Sequence, residues 1–269
     1  MSLKDAVYGF AIGDALGVPY EFKRRNSFQC KDMTGYGTYN QPPGTWSDDT
    51  SMMLATCDSI KQCGGINIKD MRLRFEKWMQ CGEYTAHGKL FDIGNTTLAA
   101  LTAGKGINDI NANGNGSLMR ILPLAFIDCV DEEIFEVSDI THAHEISEES
   151  CLLYVAIAKR LICGENIKSI LDSFKNCTFI RLTSIANLPK SEIKSTGYVV
   201  DTLEAALWCV ETSHNYAETV LTAVNLGGDT DTIAGLSGGL AGIIYGFNDI
   251  PIEWIDKLAN KELIERCLF

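Results

Sequence analysis

Apolar residues recur along this chain at intervals of three and four, the spacing that lines one face of an α-helix. Ser2 stands three residues before Asp5, a capping-box spacing, and opens a helix through Val7, Phe10, Ile12 and Leu16. A second helix follows Asp49-Thr50, with Met53, Leu54, Cys57 and Ile60 on its inner face. Asn67 caps a third, carrying Met71, Phe75, Trp78 and Met79. The same periodicity predicts helices over 94–104, 117–127, 131–140, 146–163, 166–175, 197–212, 216–226, 231–246 and 252–268. Period-two alternation of β-branched residues hardly occurs, so strands are not expected. The pattern predicts an all-α fold, with long loops at Tyr36–Gly44 and Thr183–Thr196. Neither loop has the composition of an interdomain linker, and one domain over residues 1–269 is the simpler organisation.

One predicted helix differs from the rest. From Thr232 to Gly246, glycine stands at 235, 238, 239, 242 and 246. Each helical glycine costs up to about 1 kcal/mol relative to alanine. Such a helix is expected at the centre of the protein, with neighbours packed close to its backbone. The apolar run from Ile233 to Phe247 falls short of the roughly 20 residues that a membrane span needs.

Hydrophobic residues make up 46% of the 269, enough for a sizeable core and too many for a disordered chain. A net charge of -12 with no basic cluster disfavours a dedicated nucleic-acid binder. The ten cysteines include no C-x-x-C pair, and Met1-Ser2-Leu3-Lys4 does not open a signal peptide. Cys57, Cys129, Cys151, Cys163 and Cys209 sit among apolar residues at helical spacing. Buried, reduced thiols in a soluble cytoplasmic protein are therefore expected.

The candidate chemistry lies in two acidic turns. Asp229-Thr230-Asp231-Thr232 follows Gly227-Gly228 and packs two carboxylates and two hydroxyls into four residues. Two like charges about 4 Å apart repel by roughly 4 kcal/mol at an effective dielectric near 20. A hard cation held between them removes that repulsion. Helix capping alone explains one or two of the four side chains. An EF-hand loop needs an oxygen ligand and then glycine where Ile233 and Ala234 stand. A D-x-D-x-T phosphatase needs a buried strand before the motif, and none is predicted.

Trp46-Ser47-Asp48-Asp49-Thr50 offers the same chemistry far upstream, although taken singly it is equally a helix cap. Asn115-Gly116-Ser117-Leu118-Met119-Arg120 presents backbone amides at a helix start, either an anion cradle or a simple turn. His142 and His144 would point apart on a helix, so one of them at most is expected to line a pocket. Glu21 leaves a helix into a loop and Asp92 precedes one; either is a cap or a site acid.

Read in order, Gly9–Phe22, Gly44–Met53, Phe91–Leu101, Asn113–Pro123, Thr141–Ser147 and Asn225–Gly246 resemble the ADP-ribosylglycohydrolase family, colinearly over nearly the whole chain. The resemblance implies an orthogonal helical bundle with a dinuclear centre of two divalent cations, Mg2+ or Mn2+. It implies cleavage of the C1″ glycosidic bond of ADP-ribosylated substrates. The family's metal shell falls on Ser47, Asp48, Asp49, Asp229, Asp231 and Thr232, with Ser47 where many members have threonine. Glu21 and Asp92 fall on the acidic catalytic positions, together with Asp48. Asn115, Gly116, Ser117 and Met119 match the ADP-ribose-binding loop, and His144 matches a ligand-contacting histidine. ADP-ribose on a modified protein is the implied partner and a monomer the expected state. ADP-ribosyl-arginine is the leading substrate. The alternatives are ADP-ribosyl-serine, a small ADP-ribose ester, or, from another class, an ADP-ribose-binding module with little turnover.

Overall fold

The computed structural model describes residues 1–174 and 181–269, and among these the regular elements are helices, joined by isolated bridges only. Two helices distant in sequence form the centre. Helix α1 (Leu3–Gly17) begins with the predicted capping box between Ser2 and Asp5. Helix α10 (Thr230–Tyr245) is buried at every position from Thr230 to Ile243.

The glycines explain how these two helices meet. A Cβ built on Gly9 would lie 2.3 Å from Gly238 O, and one on Gly13 2.0 Å from Ala234 O. On Gly17 it would lie 2.3 Å from Asp231 Cα. The partners descend along α10 as α1 ascends, so the helices run antiparallel with backbone against backbone. The lost propensity of each glycine is offset by this contact. Two buried phenols brace the pair: Tyr216 Oη donates to Gly9 O (2.7 Å) and Tyr154 Oη to Leu236 O (2.9 Å).

Around this centre lie α2 (Asp48–Cys63), α3 (Ile68–Cys81), α4 (Asn95–Ala103), α5 (Asp131–Ser138), α6 (Glu145–Ile162), α7 (Ile167–Ser173), α8 (Val199–Thr212) and α9 (Tyr216–Val224). Asn67 caps α3 by accepting from the Asp70 amide, as its position predicts. The predicted helix over 166–175 runs one residue past Phe174, and that residue lies outside the described residues.

Three expectations need correction. The segment 117–127 forms two 3-10 turns, Leu118–Arg120 and Leu122–Phe126, because Pro123 lacks the amide an α-helix interior needs. The segment 252–268 is two helices, α11 (Ile252–Lys257) and α12 (Lys261–Cys267), broken where Asn260 turns left-handed (φ 41°). There Ala259 N donates to Gly44 O (3.0 Å), diverting the chain onto the 36–44 loop. The nine described cysteines are all free, but Cys163 is exposed and Cys129 only partly covered. No helix among the described residues is long and apolar enough to cross a membrane.

Candidate active site

Helix α1 carries a residue that sequence reasoning passed over. Asp14, with no solvent exposure, faces the start of α2. Its carboxylate accepts from the Ser47 amide (3.0 and 3.1 Å), the Thr50 amide (3.1 Å) and the Thr50 hydroxyl (2.6 Å). Ser47 is the N-cap of α2, accepting from the Asp49 amide. Free amides at a helix start need acceptors, and here a carboxylate from another helix supplies them. The signal in the sequence was an acid set among apolar and small residues in the last turns of the helix.

Just beyond α1, a 3-10 turn (Val18–Tyr20) brings the chain to Glu21. The neighbouring Phe22 amide donates to Gly228 O (2.7 Å), and Gly228 N to Lys23 O (2.9 Å). These bonds tie the Glu21 loop to the turn before α10. The two acidic turns meet directly: Ser47 Oγ (2.9 Å) and Thr232 Oγ1 (3.2 Å) both donate to Asp49 Oδ2. Asn115 Nδ2 donates to Asp229 Oδ2 (2.8 Å) from the opposite side.

Three acceptors remain without a partner: Glu21 Oε2, Asp49 Oδ1 and Asp231 Oδ1 are buried with no hydrogen bond. Oxygens of Asp14, Asp49 and Asp231 lie within 4.8 Å of one another, as do those of Glu21, Asp92 and Asp231. Charges at that separation repel by about 3–4 kcal/mol per pair at an effective dielectric near 20. The titration of the group reflects this. Burial first, then Asp92 and Asp229, pushes Glu21 up to about 8. Burial, followed by the neighbouring carboxylates, raises Asp48, Asp49 and Asp231 well above the usual range. Burial likewise raises Asp229, against the hydrogen bond from Asn115, and raises Asp92 against its own hydrogen bonds. Unpaired buried oxygens, all hard donors, fit divalent cations such as Mg2+ and Mn2+.

These acids form one side of a cleft of about 430 Å3. Glu21, Asp48, Asp49, Asp92, Asn115, Gly116, Met119, Asp229, Asp231 and Thr232 all lie in its wall. Three other candidates do not. Ser47 is buried beneath Asp49, which it holds. Ser117 is buried and accepts from the Cys151 thiol (3.4 Å). His144 is the N-cap of α6, its Nδ1 accepting from the Ile146 amide. The histidine in the wall is His142, with Thr97 and Gly114 beside it. The ligand-contacting position that the resemblance implied for His144 is thus taken in the wall by His142, two residues earlier.

An all-α frame, an oxygen-only acidic centre and a facing wall of glycine, asparagine and histidine define a helical acidic site open to a polar ligand. The chain belongs to the ADP-ribosylglycohydrolase family, whose family model it matches over residues 2–268. It is 35% identical over 278 residues to ADP-ribosylarginine hydrolase Tri1 of Serratia proteamaculans, covering 97% of this chain and 76% of that protein. ADP-ribosyl-dinitrogen reductase glycohydrolase of Rhodospirillum rubrum is 29% identical over 273 residues, 95% of this chain and 90% of the other. A solved chain described as an ADP-ribosylglycohydrolase-related protein complex superposes with a TM-score of 0.81 at 28% identity, covering 97% of this chain and 94% of that one.

Proposed function

We propose that the protein hydrolyses the C1″ glycosidic bond of ADP-ribosyl-arginine on a protein, releasing ADP-ribose, with two divalent cations in the acidic half of the cleft. The observation that carries this reading is the trio of buried, unpartnered oxygens on Glu21, Asp49 and Asp231. Their chemistry calls for cations, and the family relation supplies the reaction. Asp48, Asp49, Asp229, Asp231 and Thr232 would hold the metals, with Ser47 fixing Asp49 from beneath. Bound Mg2+ or Mn2+ would supply counter-charge to the acids and Lewis-acid anchoring for the sugar's vicinal hydroxyls.

The chain's own residues do the rest. Hydrolysis breaks the C1″–N bond and adds water across it, with positive charge on the ribose ring at the transition state. A carboxylate face close to that ring stabilises the charge. Glu21 and Asp92 border the same space and are the groups for the water's proton. Burial and Asp92 raise Glu21 to about 8 in the metal-free protein; beside bound cations it would stand as the carboxylate that accepts the water's proton. The Asn115–Met119 segment binds the non-reacting diphosphate and orients the bond to be cut.

Arginine is preferred to serine as the acceptor because the relative from Serratia proteamaculans is named for ADP-ribosylarginine. The deciding experiment incubates the protein with arginine- and serine-linked ADP-ribosyl peptides in Mg2+, Mn2+ or EDTA. Free ADP-ribose from the arginine peptide alone, abolished by EDTA, is the expected result. Release from the serine peptide alone reassigns the linkage. Binding of ADP-ribose without release from either peptide makes the protein a binding module instead.

A further inference from the structure

Behind the wall that faces the acids lies Arg120, with no solvent exposure. Its Nε donates to Gly116 O (3.2 Å) and one terminal nitrogen to Val137 O (3.0 Å). The other terminal nitrogen donates to Ser138 O (3.4 Å) and Thr141 Oγ1 (2.8 Å). The guanidinium stands 4.6 Å from the centre of the Phe75 ring. Among the described residues no carboxylate pairs with it. Burial lowers it to about 10, which leaves it charged at neutral pH. A buried cation held by carbonyls and one hydroxyl is a poor means of stabilising a core. Its contact with Thr141 suggests what it secures.

Thr141 is fully buried, and its Oγ1 lies 2.8 Å from His142 Nδ1. A guanidinium only donates, so the Thr141 oxygen accepts from Arg120 and its single proton is free for Nδ1. Were Nδ1 protonated and donating to the same oxygen, the hydroxyl proton would be buried with no acceptor. Nδ1 is therefore the acceptor. Burial, then the Arg120 charge, pushes His142 down to about 3, so the ring is neutral. A neutral imidazole that accepts at Nδ1 carries its proton on Nε2.

The ring is also held by its own backbone: His142 N donates to Ser138 O (2.9 Å) and His142 O accepts from Ser138 Oγ (2.9 Å). Its open edge borders the cleft. Glycine at 116 keeps that edge clear, since a Cβ there would lie 2.7 Å from His142 Cε1 and 3.3 Å from Nε2. Arg120 grips the carbonyl of that same glycine.

We propose that Arg120 and Thr141 are positioning residues that lock His142 as the Nε2–H tautomer, giving the cleft a fixed donor to an acceptor oxygen of the bound ADP-ribosyl group. The ligand half of this inference rests on the function proposed above; the lock stands apart from it.

The test begins with the metal-free, full-length chain carrying 15N-labelled histidine at pH 7. Its ring-nitrogen shifts identify the tautomer, and His142 is assigned by the signal lost in His142→Gln. A protonated Nε2 and an accepting Nδ1 are expected. An Nδ1–H ring, or a mixture of tautomers, overturns the lock without any variant. Thr141→Val is expected to release the tautomer and weaken ADP-ribose binding in Mg2+ about tenfold by calorimetry, the size of one lost hydrogen bond. Thr141→Ser keeps the hydroxyl and is expected to restore both. Mg2+ binding measured alone should not change in either variant. A Thr141→Val protein with an unchanged tautomer overturns the lock, and a changed tautomer with unchanged ADP-ribose affinity overturns the ligand half. Wild-type protein that binds no ADP-ribose contradicts the proposed function, while the spectra still decide the tautomer.

Discussion

The two acidic turns start their helices in different ways. At α2, Ser47 caps through its side chain and Asp14 adds a second acceptor from another helix, so hydrogen bonds fix Asp49. At α10, Asp229 is the N-cap but makes no capping bond with its side chain. That end is held by packing: the Asp231 backbone rests against Gly17, and Thr230 Oγ1 donates to Gly17 O (2.8 Å). The α2 carboxylates are aimed by hydrogen bonds at the helix start, whereas the α10 start is set by close backbone packing, with Asn115 bonded to Asp229 from across the cleft. Helix α1 does both, with Asp14 on one face and Gly13 and Gly17 on another. Substitutions along α1 should therefore separate the two modes.

The largest effect is expected where volume decides. Gly13→Ala places a methyl 2.0 Å from Ala234 O, a backbone atom inside a buried helix. The helices must part, with a loss of roughly 3 kcal/mol or more. Thermal unfolding followed by circular dichroism should show a midpoint many degrees lower, or no folded protein. A midpoint matching wild type would mean that α1 and α10 do not touch as described. Next in size is Asp231→Asn, which keeps shape and removes charge. Turnover should fall by more than about 100-fold, near 3 kcal/mol, and Mg2+ binding should weaken. The metal-free protein should nevertheless melt higher, because one repelling charge is gone. Full activity would remove Asp231 from the site.

The asymmetry also sets how much could be read from the chain. The volume-determined half was legible: glycine at 235, 238, 239 and 242 in an apolar helical run has few causes other than close backbone packing. The acid pairs were legible because adjacent carboxylates need a common cause. Asp14 was not, since its role is to cap a helix that starts more than thirty residues later. Periodicity reports which face is buried and says nothing of a tertiary acceptor. His142 was open to either role for the same reason: only the fold brings Arg120 against Thr141. Pro123 did carry its message, and the 117–127 periodicity concealed it.

The polarity half is tested by Asp14→Asn, an intermediate effect. The amide turns one acceptor oxygen into a donor facing the amides of Ser47 and Thr50. A loss of about 1–3 kcal/mol in stability follows from a buried mismatch of this kind. Mg2+ affinity should drop about tenfold as Asp49 loses its fixed position, read by calorimetry at constant pH. Thr50→Val removes only one of the bonds and should fall between this variant and wild type. Equal Mg2+ affinity in all three proteins would show that Asp49 is not aimed through Asp14.

The smallest effect concerns the unpaired charge itself and is seen only in EDTA. Glu21 is pushed from an ordinary 4.5 to about 8 in the folded protein, by burial first and Asp92 next. Between those values the folded state binds a proton that the unfolded state has released, so stability falls as pH rises. The contribution is fully present below about 4.5 and gone above about 8. Asp139, pushed up to about 7 by burial beside Glu148, adds a slope of the same sign away from the cleft. His142, pushed from 6.5 down to about 3 by burial, acts with the opposite sign up to about pH 6.5; Asp32 and Glu265, held low by Lys257 and Lys4, do so only below the ordinary carboxylate range. Melting scans in EDTA from pH 6.5, above which His142 no longer contributes, to pH 8 should therefore show a midpoint that drops by a few degrees. Saturating Mg2+ should flatten the Glu21 part, because counter-charge replaces the proton, and leave the Asp139 part in place. Glu21→Gln should flatten the same part without metal. A midpoint that rises with pH in EDTA would mean that the cleft carboxylates do not repel one another, and the contrast between a tied turn and an unpaired one would lose its electrostatic basis.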